Sequence, residues 1–322
     1  MTIGLDLAPA LDRVTTVSLR PRYEGCNICT WIGFKHVNYL VEEAVLTHLR
    51  EAGLAAGALY ETYGLGTELV DIDTRIATAL HIDDVVTAEV RPAADGAGRT
   101  EGRLALTVQL SVDRDAVPVR AATSQVGVVF RQDAGCHDAP AEAAPHTVRR
   151  ITGTAGAKLP SLPDRVGSVE EAVGLLKAQG NTEVWRWRVP YYHCHFTERL
   201  QMSGLLRVME EAVHWFLQER GVSIRTLLTE QDWIPVVPHS AITLLDETLM
   251  EEELLIAFTV EDVFKDLTYT ARVDTYALRD GALVPTSTGR ITHGYAHIDS
   301  RRDWSLTRFD ERLQRALRGA GQ

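Results

Sequence analysis

Two histidines and a cysteine, His193, Cys194 and His195, stand together in the segment YYHCHFTERLQMSGLLRVMEEAVHWFLQERG (191–221), just before a strongly periodic stretch. A histidine titrates near neutral pH and can act as a general base, and a cysteine can act as a nucleophile or a metal ligand. Three hypotheses therefore compete for this segment: a metal site, a catalytic loop, or the polar entrance to a buried helix.

The cysteines and the missing motifs argue against metal and cofactor chemistry. A structural zinc site needs four converging ligands, and Cys26 with Cys29 provides only a single Cys-x-x-Cys pair. A small buried packing role suits Cys26 and Cys194 better, and a Cys194 nucleophile is a weaker alternative. The sequence contains no Gly-x-Ser-x-Gly elbow and no phosphate-binding loop. We expect no metal and no cofactor.

Composition narrows the function classes further. The chain has 322 residues and a formal net charge of -11, which disfavours nucleic-acid binding because phosphate neutralisation needs a basic face. It has no apolar run long enough for a membrane span and no signal-peptide pattern at its start. Four cysteines do not suggest a disulfide framework. We expect a soluble, cytoplasmic protein, and a homodimer is left open.

The chain contains an internal repeat. Residues 23–53 align without a gap on residues 191–221, an offset of 168, with nine identical positions. The apolar positions of both copies follow the i, i+3, i+4, i+7 spacing of an amphipathic helix, and each copy stops at a glycine, Gly53 or Gly221. One long helix is therefore predicted twice.

Each predicted helix is followed by four segments with the alternation of β-strands, and two turn-rich segments, DRDAVPV and RDGALVP, predict hairpins before the last of them. The predicted strands are 67–80, 84–93, 103–112 and 120–132 in the first half, and 234–246, 253–263, 269–278 and 287–299 in the second. We predict an N-terminal half over 1–133 and a C-terminal half over 183–322, the latter ending in a helix over SLTRFDERLQRALRG. Residues 134–182 are predicted as a linker with a short helix, introduced by a Ser168/Glu171 capping box.

A long apolar helix wrapped by antiparallel strands, present twice, resembles the double hot-dog fold, an α+β architecture. The segments YEGCNICTWIGFKHVNYLVEEA and YYHCHFTERLQMSGLLRVMEEA are similar to the thioesterase branch of that superfamily, with halves like those of 4-hydroxybenzoyl-CoA thioesterase. Such sequences have an aromatic residue, a polar loop with a catalytic aspartate, and a helix carrying Glu-Glu-Ala. The acidic pairs before a strand in HIDDVVTAEV and MEEELLIAFTV are also similar.

The sequence departs from that pattern at the loop. Asn27 and His195 stand where many thioesterases keep the aspartate, and Thr30 and Glu198 replace the glycine that follows. The stretch HFTERLQMSGLL is similar instead to hot-dog β-hydroxyacyl dehydratases, which carry His-Phe, Met and Gly before their helix. In double hot-dog dehydratases one half supplies the histidine and the other half an acid.

The resemblance implies that an acyl chain lies between the halves, with its thioester near the start of a long helix. Backbone N–H groups there are unpaired and partly positive, so they can hold an oxyanion. The implied positions are Gly33 and Phe34, or Ser203 and Gly204. Trp31, in the first loop, is a further candidate contact for substrate.

Each candidate catalytic residue has a chemical role and a structural alternative. His195 is the predicted base, against the alternative of a polar loop residue. Asn27 can orient water or an oxyanion, or simply hold a turn. Glu42 is the predicted acid or base facing His195, and Glu43 is the alternative candidate for that role. Both glutamates could instead lie on a solvated edge of the helix. Glu198 is a third candidate acid, or a surface residue.

We predict an acyl-thioester hydrolase acting on an acyl carrier protein or coenzyme A thioester, in fatty-acid or polyketide-type metabolism. Two alternatives remain open. One is a dehydratase, isomerase or cyclase acting on a carrier-bound chain, and the other is a non-catalytic acyl-binding protein.

Overall fold

The computed structural model describes residues 6–93, 99–100, 102–133, 147–148, 150–151, 159–163, 165–301 and 303–318. Most of residues 134–167, the part of the predicted linker that precedes its short helix, lies outside the described residues. The helices are α1 (Ala8–Leu11), α2 (Phe34–Glu51), α3 (Ala56–Tyr63), α4 (Val169–Lys177), α5 (Met202–Glu219), α6 (Ile224–Gln231) and α7 (Glu311–Arg318).

The strands are mainly long and antiparallel. They are β1 (Thr15–Leu19), β2 (Leu65–Ile76), β3 (Val86–Pro92), β4 (Arg99–Thr100), β5 (Arg103–Arg114), β6 (Val117–Gln132), β7 (Thr147–Val148), β8 (Thr182–Arg188), β9 (Trp233–Leu244), β10 (Glu253–Phe264), β11 (Thr268–Arg279), β12 (Ala282–Ile298) and β13 (Trp304–Leu306).

All the described strands belong to one sheet in the order β1-β3-β5-β6-β2-β9-β12-β11-β10-β8, with β4, β7 and β13 attached beside it. The halves meet where β2 pairs antiparallel with β9, from Asp71 opposite Thr243 to Arg75 opposite His239. Because this junction is itself hydrogen-bonded, the two halves share a continuous sheet. The long helices α2 and α5 pack on it and contact each other.

The predicted long helices and their apolar faces are confirmed. The stripe is almost fully buried in both copies: Val37, Leu40, Val41, Ala44, Val45 and Leu49 in α2, and Leu205, Val208, Met209, Ala212, Val213 and Leu217 in α5. Gly53 and Gly221 adopt positive φ after the helix ends, at 81° and 74°, as C-terminal caps require. The 168-residue offset also relates the bounds of α2 to α5, α3 to α6 and β2 to β9.

Other local predictions fare unequally. Ser168 Oγ accepts a hydrogen bond from the Glu171 N–H at 3.1 Å, which confirms the cap of α4. Asp115 and Ala116 have φ of 52° and 62°, as a tight hairpin between β5 and β6 requires. The terminal helix was predicted too long, because its first residues form β13, which pairs with the end of β12.

Candidate active site

A cavity of about 100 Å³ lies between the two halves. Its walls come from α2, α3 and β2 of the first half and from the loop before α5 in the second. The lining residues are Glu42, Leu46, Ala56, Thr67, Leu69, His195, Phe196, Gln201 and Met202. Glu42 and His195 therefore reach the same cavity from opposite halves of the chain.

Glu42 is the carboxylate of this cavity. It is half-buried and forms no hydrogen bond or ion pair with any residue that the structure describes. Burial, with a smaller contribution from the charge of Glu43, raises the pKa of Glu42 to about 7. A carboxyl group with that pKa exchanges a proton at neutral pH, as a general acid or base must.

Glu43, the rival candidate, points elsewhere. It is exposed, and its nearest ionic partner is Arg50, at 4.0 Å on the outer side of the same helix. Consecutive residues of a helix differ by about 100° in direction, so one can face a cavity while the next faces solvent. The structure brings Glu42 to the cavity and leaves Glu43 at the surface.

His195 lies in a tight loop at the mouth of the cavity. The loop is closed by pairing between Cys194 and Leu200 and by a 2.7 Å hydrogen bond from the Thr197 N–H to the His195 carbonyl. His195 is exposed to solvent on its outer side. Partial burial and then the positive charge of Arg207 lower the pKa of His195, which favours the neutral imidazole.

Charged side chains beneath the loop hold it in place. Glu68 and Arg131 are each only 1% exposed and approach to 3.4 Å, and Arg131 also lies 3.5 Å from Glu247. Glu247 binds Arg199 in the loop at 3.0 Å. Glu68 also accepts a hydrogen bond from Gln201, although burial raises its pKa. Sequence reasoning missed this network, for which the only signal was Glu68 within an apolar strand.

The start of α5 borders the cavity. Gln201 occupies the N-cap position and Met202 is the first helical residue, and no side chain caps this end. The first N–H groups of a helix have no acceptor within the helix, so those of Met202, Ser203 and Gly204 carry partial positive charge. Two candidate positions, Ser203 and Gly204, lie in this first helical turn, directly after Gln201 and Met202, which line the cavity.

Comparison with known proteins identifies the architecture. No family model and no curated protein sequence matches the chain. Among solved structures it is similar to a protein assigned as an oleoyl thioesterase from Lactobacillus plantarum (TM-score 0.58, 13% identity, 88% of this chain and 95% of that one). It is also similar to an acyl-ACP thioesterase from Bacteroides thetaiotaomicron VPI-5482 (0.53, 10%, 87% and 97%) and a 12:0-ACP thioesterase from Umbellularia californica (0.54, 11%, 87% and 93%).

The chain has the double hot-dog fold. These matches cover 87–88% of this chain and therefore extend over both halves, as the sequence pattern predicted. At 10–13% identity they establish the fold and leave the chemistry to this chain's own residues. No described helix is long and apolar enough to cross a membrane.

The repeat gives Glu42 and His195 the counterparts Glu210 and Asn27, near the start of α2, and both of these side chains are bonded to other residues. We call this repeat-equivalent position the second cleft. Glu210, the counterpart of Glu42, forms a 2.5 Å ion pair with Lys35. Asn27, the counterpart of His195, donates to the Pro235 carbonyl at 3.3 Å and accepts from the Ile28 N–H at 2.9 Å. These bonds give Asn27 a turn-holding role, which was one of its two sequence interpretations.

The remaining candidates of the first half lie around this second cleft. Gly33 is the N-cap of α2, and a Cβ built on it would lie 3.9 Å from Glu210 Oε1. Phe34, the first helical residue, is buried. Trp31 packs edge-to-face on Trp304 at 4.9 Å and does not line the cavity between Glu42 and His195.

The other candidate groups of the second loop, Cys194 and Glu198, have no place in the cavity. Cys194 is buried and burial raises its pKa, which keeps it a thiol and argues against a nucleophile. Glu198 is exposed and does not line the cavity. No cluster of three or more His, Cys, Asp or Glu within the described ranges could hold a metal ion.

Proposed function

We propose that this protein is an acyl-thioester hydrolase whose active site is the cavity between Glu42 and His195. The observation that carries the proposal is the pairing, across one cavity, of an unbonded carboxyl group with a pKa of about 7 and an imidazole whose pKa is lowered. The double hot-dog fold, shared with acyl-ACP thioesterases, supports it by analogy.

Glu42 is the base that suits the reaction. A general base works best when its pKa lies near the working pH, and that of Glu42 is about 7, whereas burial lowers the pKa of His195. This reverses the order expected from sequence, in which His195 was the base. His195 then serves as a hydrogen-bonding group that orients the attacking water.

The reaction proceeds through a tetrahedral intermediate. Glu42 takes a proton from water as the water oxygen bonds to the thioester carbonyl carbon. The resulting oxyanion is held by the N–H groups at the start of α5. The C–S bond then breaks, and protonated Glu42 returns the proton to the departing thiolate, which leaves a free acid and a free thiol.

We place the acyl chain along the apolar part of the cavity. Leu46, Leu69 and Met202 present an apolar lining next to the carboxylate, and an acyl chain placed there would bury its apolar surface while Glu42 and His195 face the attacking water. The thioester carrier, an acyl carrier protein or coenzyme A, would lie outside the cavity. With either carrier, the metabolism that we propose is of the fatty-acid or polyketide type.

One observation favours dehydration, or a related isomerisation or cyclisation, as the second candidate function. His195 comes from one half and the acid Glu42 from the other, which is the division of labour in double hot-dog dehydratases. In that reaction His195 would remove a proton next to the thioester carbonyl, and Glu42 would protonate the departing hydroxyl group.

A panel of acyl and β-hydroxyacyl thioesters of coenzyme A and of an acyl carrier protein separates these functions. Hydrolysis releases free thiol and the free acid, measured with a thiol reagent and by intact mass. Dehydration removes the mass of one water and releases no thiol, and that result would replace our proposal by the second candidate. Unchanged substrates would indicate a binding protein.

The His195→Ala variant tests whether the reaction takes place in the cavity next to His195. Loss of either activity by about 100-fold is expected for a group that orients water or moves a proton. A variant with the wild-type rate would remove His195 from the site.

A further inference from the structure

Tyr39 and Arg207 occupy the same position in the two copies of the repeat, 168 residues apart, and they bond to each other. Arg207 Nε donates to the Tyr39 hydroxyl at 3.1 Å. In a molecule built from two copies related by a twofold rotation, a residue can contact its own counterpart only near the rotation axis. This pair therefore marks the pseudo-twofold axis between α2 and α5.

The hydrogen bonds of this pair do not follow the twofold symmetry, because they reach the start of α5 and not the start of α2. The Tyr39 hydroxyl donates to the Ser203 carbonyl at 3.0 Å, in the first turn of α5. Lys35 is the counterpart of Ser203, but among the described residues Arg207 makes no hydrogen bond to the Lys35 carbonyl. The residues on the axis thus brace only the helix end that borders the cavity.

We propose that Tyr39 and Arg207 are positioning residues that fix the first turn of α5 relative to Glu42. This inference rests on the proposed function, in which that turn holds the oxyanion. Tyr39 lies three residues before Glu42 on α2, so its hydroxyl ties the helix carrying the base directly to the helix carrying the N–H donors.

The hydrogen bonds also strengthen the donors. The Ser203 carbonyl and the Gly204 N–H belong to the same peptide unit, so a bond to the carbonyl makes that N–H more acidic. Arg207 polarises the Tyr39 hydroxyl, and it forms no ion pair with any described carboxylate. Its positive charge thus remains next to the helix turn, where it also helps to lower the pKa of His195.

The test removes the hydroxyl with Tyr39→Phe, which keeps the ring. We expect kcat for thioester hydrolysis to fall about tenfold with KM unchanged, because the ground-state acyl chain still fits while the oxyanion donors lose their position. Arg207→Lys should retain more activity than Arg207→Met, since only lysine can still donate to the phenol. Trp185→Phe is the matched control, because it removes a 2.7 Å bond to Glu219 at the far end of α5.

Hydrogen–deuterium exchange provides a readout that does not depend on activity. Amides in the first turn of α5 should exchange faster in Tyr39→Phe, with no change at the start of α2. If the wild-type protein hydrolyses no thioester, the proposed function fails, but exchange still decides whether the pair braces α5. Unchanged kcat and exchange in Tyr39→Phe, or equal changes at both ends of α5, would overturn the inference.

Discussion

The two clefts of this double hot-dog protein are built from the same elements but differ in their charges. In the first cleft, Glu42 stands unbonded in a cavity opposite His195. In the second, Lys35 neutralises Glu210 at 2.5 Å, and the Asn27 side chain is bonded to its own loop and to β9. The fold repeats, whereas the candidate chemistry is confined to one copy.

One position accounts for much of this difference. Lys35 and Ser203 are counterparts, each the second residue of its long helix. A lysine there reaches the carboxylate of the opposite helix, and a serine does not. Duplication supplies two equivalent clefts, and a single residue type in the first helical turn can decide which carboxylate stays free to exchange protons.

The largest effect should come from exchanging the carboxylate of one cleft at a time. Glu42→Gln removes the base, so the rate of thioester hydrolysis should fall by about 1000-fold, within the range of general base catalysis. Glu210→Gln, the matched change in the second cleft, should keep the wild-type rate. Equal losses in the two variants would mean that the clefts are functionally equivalent.

Ser203→Lys would give the first cleft the lysine that pairs with the carboxylate of the second cleft. An ammonium group next to Glu42 should lower its pKa, which weakens it as a base, and we expect a loss of about 100-fold. In the wild-type protein kcat/KM should rise with pH around a midpoint near 7, as Glu42 loses its proton. The midpoint should move to lower pH in Ser203→Lys, and an unshifted profile would show that another group titrates.

The same carboxylate should affect stability. The pKa of Glu42 is about 7 in the folded protein and 4.5 for the free side chain, so the folded state holds a proton that the unfolded state releases between these values. Stability is therefore lost as pH rises from about 4.5 to 7. Glu42→Gln should gain on the order of 2 kcal/mol over wild type between pH 5 and pH 8, measured by urea unfolding. A constant difference across this range would contradict the shifted pKa.

Much of the fold could be predicted because the repeat is regular. The buried stripe of each long helix and the alternation of strands such as β5 follow simple periods, and two aligned copies reinforce each signal. The short helices α3 and α6 were missed because eight residues carry little periodicity. The predicted terminal helix took in the last two residues of β13, because this short strand forms only by pairing with β12.

The site could be predicted only in part. The loop and the Glu-Glu pair pointed to His195 and to Glu42 or Glu43. The choice between these two glutamates depends on which face of α2 is turned towards α3 and β2, and the sequence does not show that. The network of Glu68, Arg131 and Glu247 joins residues more than 60 positions apart. No local pattern encodes such contacts, and the same holds for the Tyr39–Arg207 pair.

The cavity wall provides a smaller difference between the clefts. Ala56 lines the cavity at the start of α3, and its counterpart in α6 is Ile224. Ala56→Ile should take up much of the cavity of about 100 Å³ and lower kcat/KM about tenfold, with a greater loss for longer acyl chains. Ile224→Ala should change neither rate nor chain-length preference. An unchanged preference in Ala56→Ile would place the acyl chain elsewhere.

The smallest effect is expected from breaking the ion pair of the second cleft. Lys35→Ser makes that helix turn like its counterpart and leaves Glu210 unpaired. Because the Glu210 side chain is 42% exposed, water replaces the lost contact, and the cost should be less than about 1 kcal/mol in urea unfolding. The hydrolysis rate should not change. A double variant, Lys35→Ser with Glu42→Gln, should be inactive. If it hydrolysed thioesters, the second cleft would have become active without an imidazole, and the ion pair with Lys35 alone would account for its inactivity in the wild-type protein.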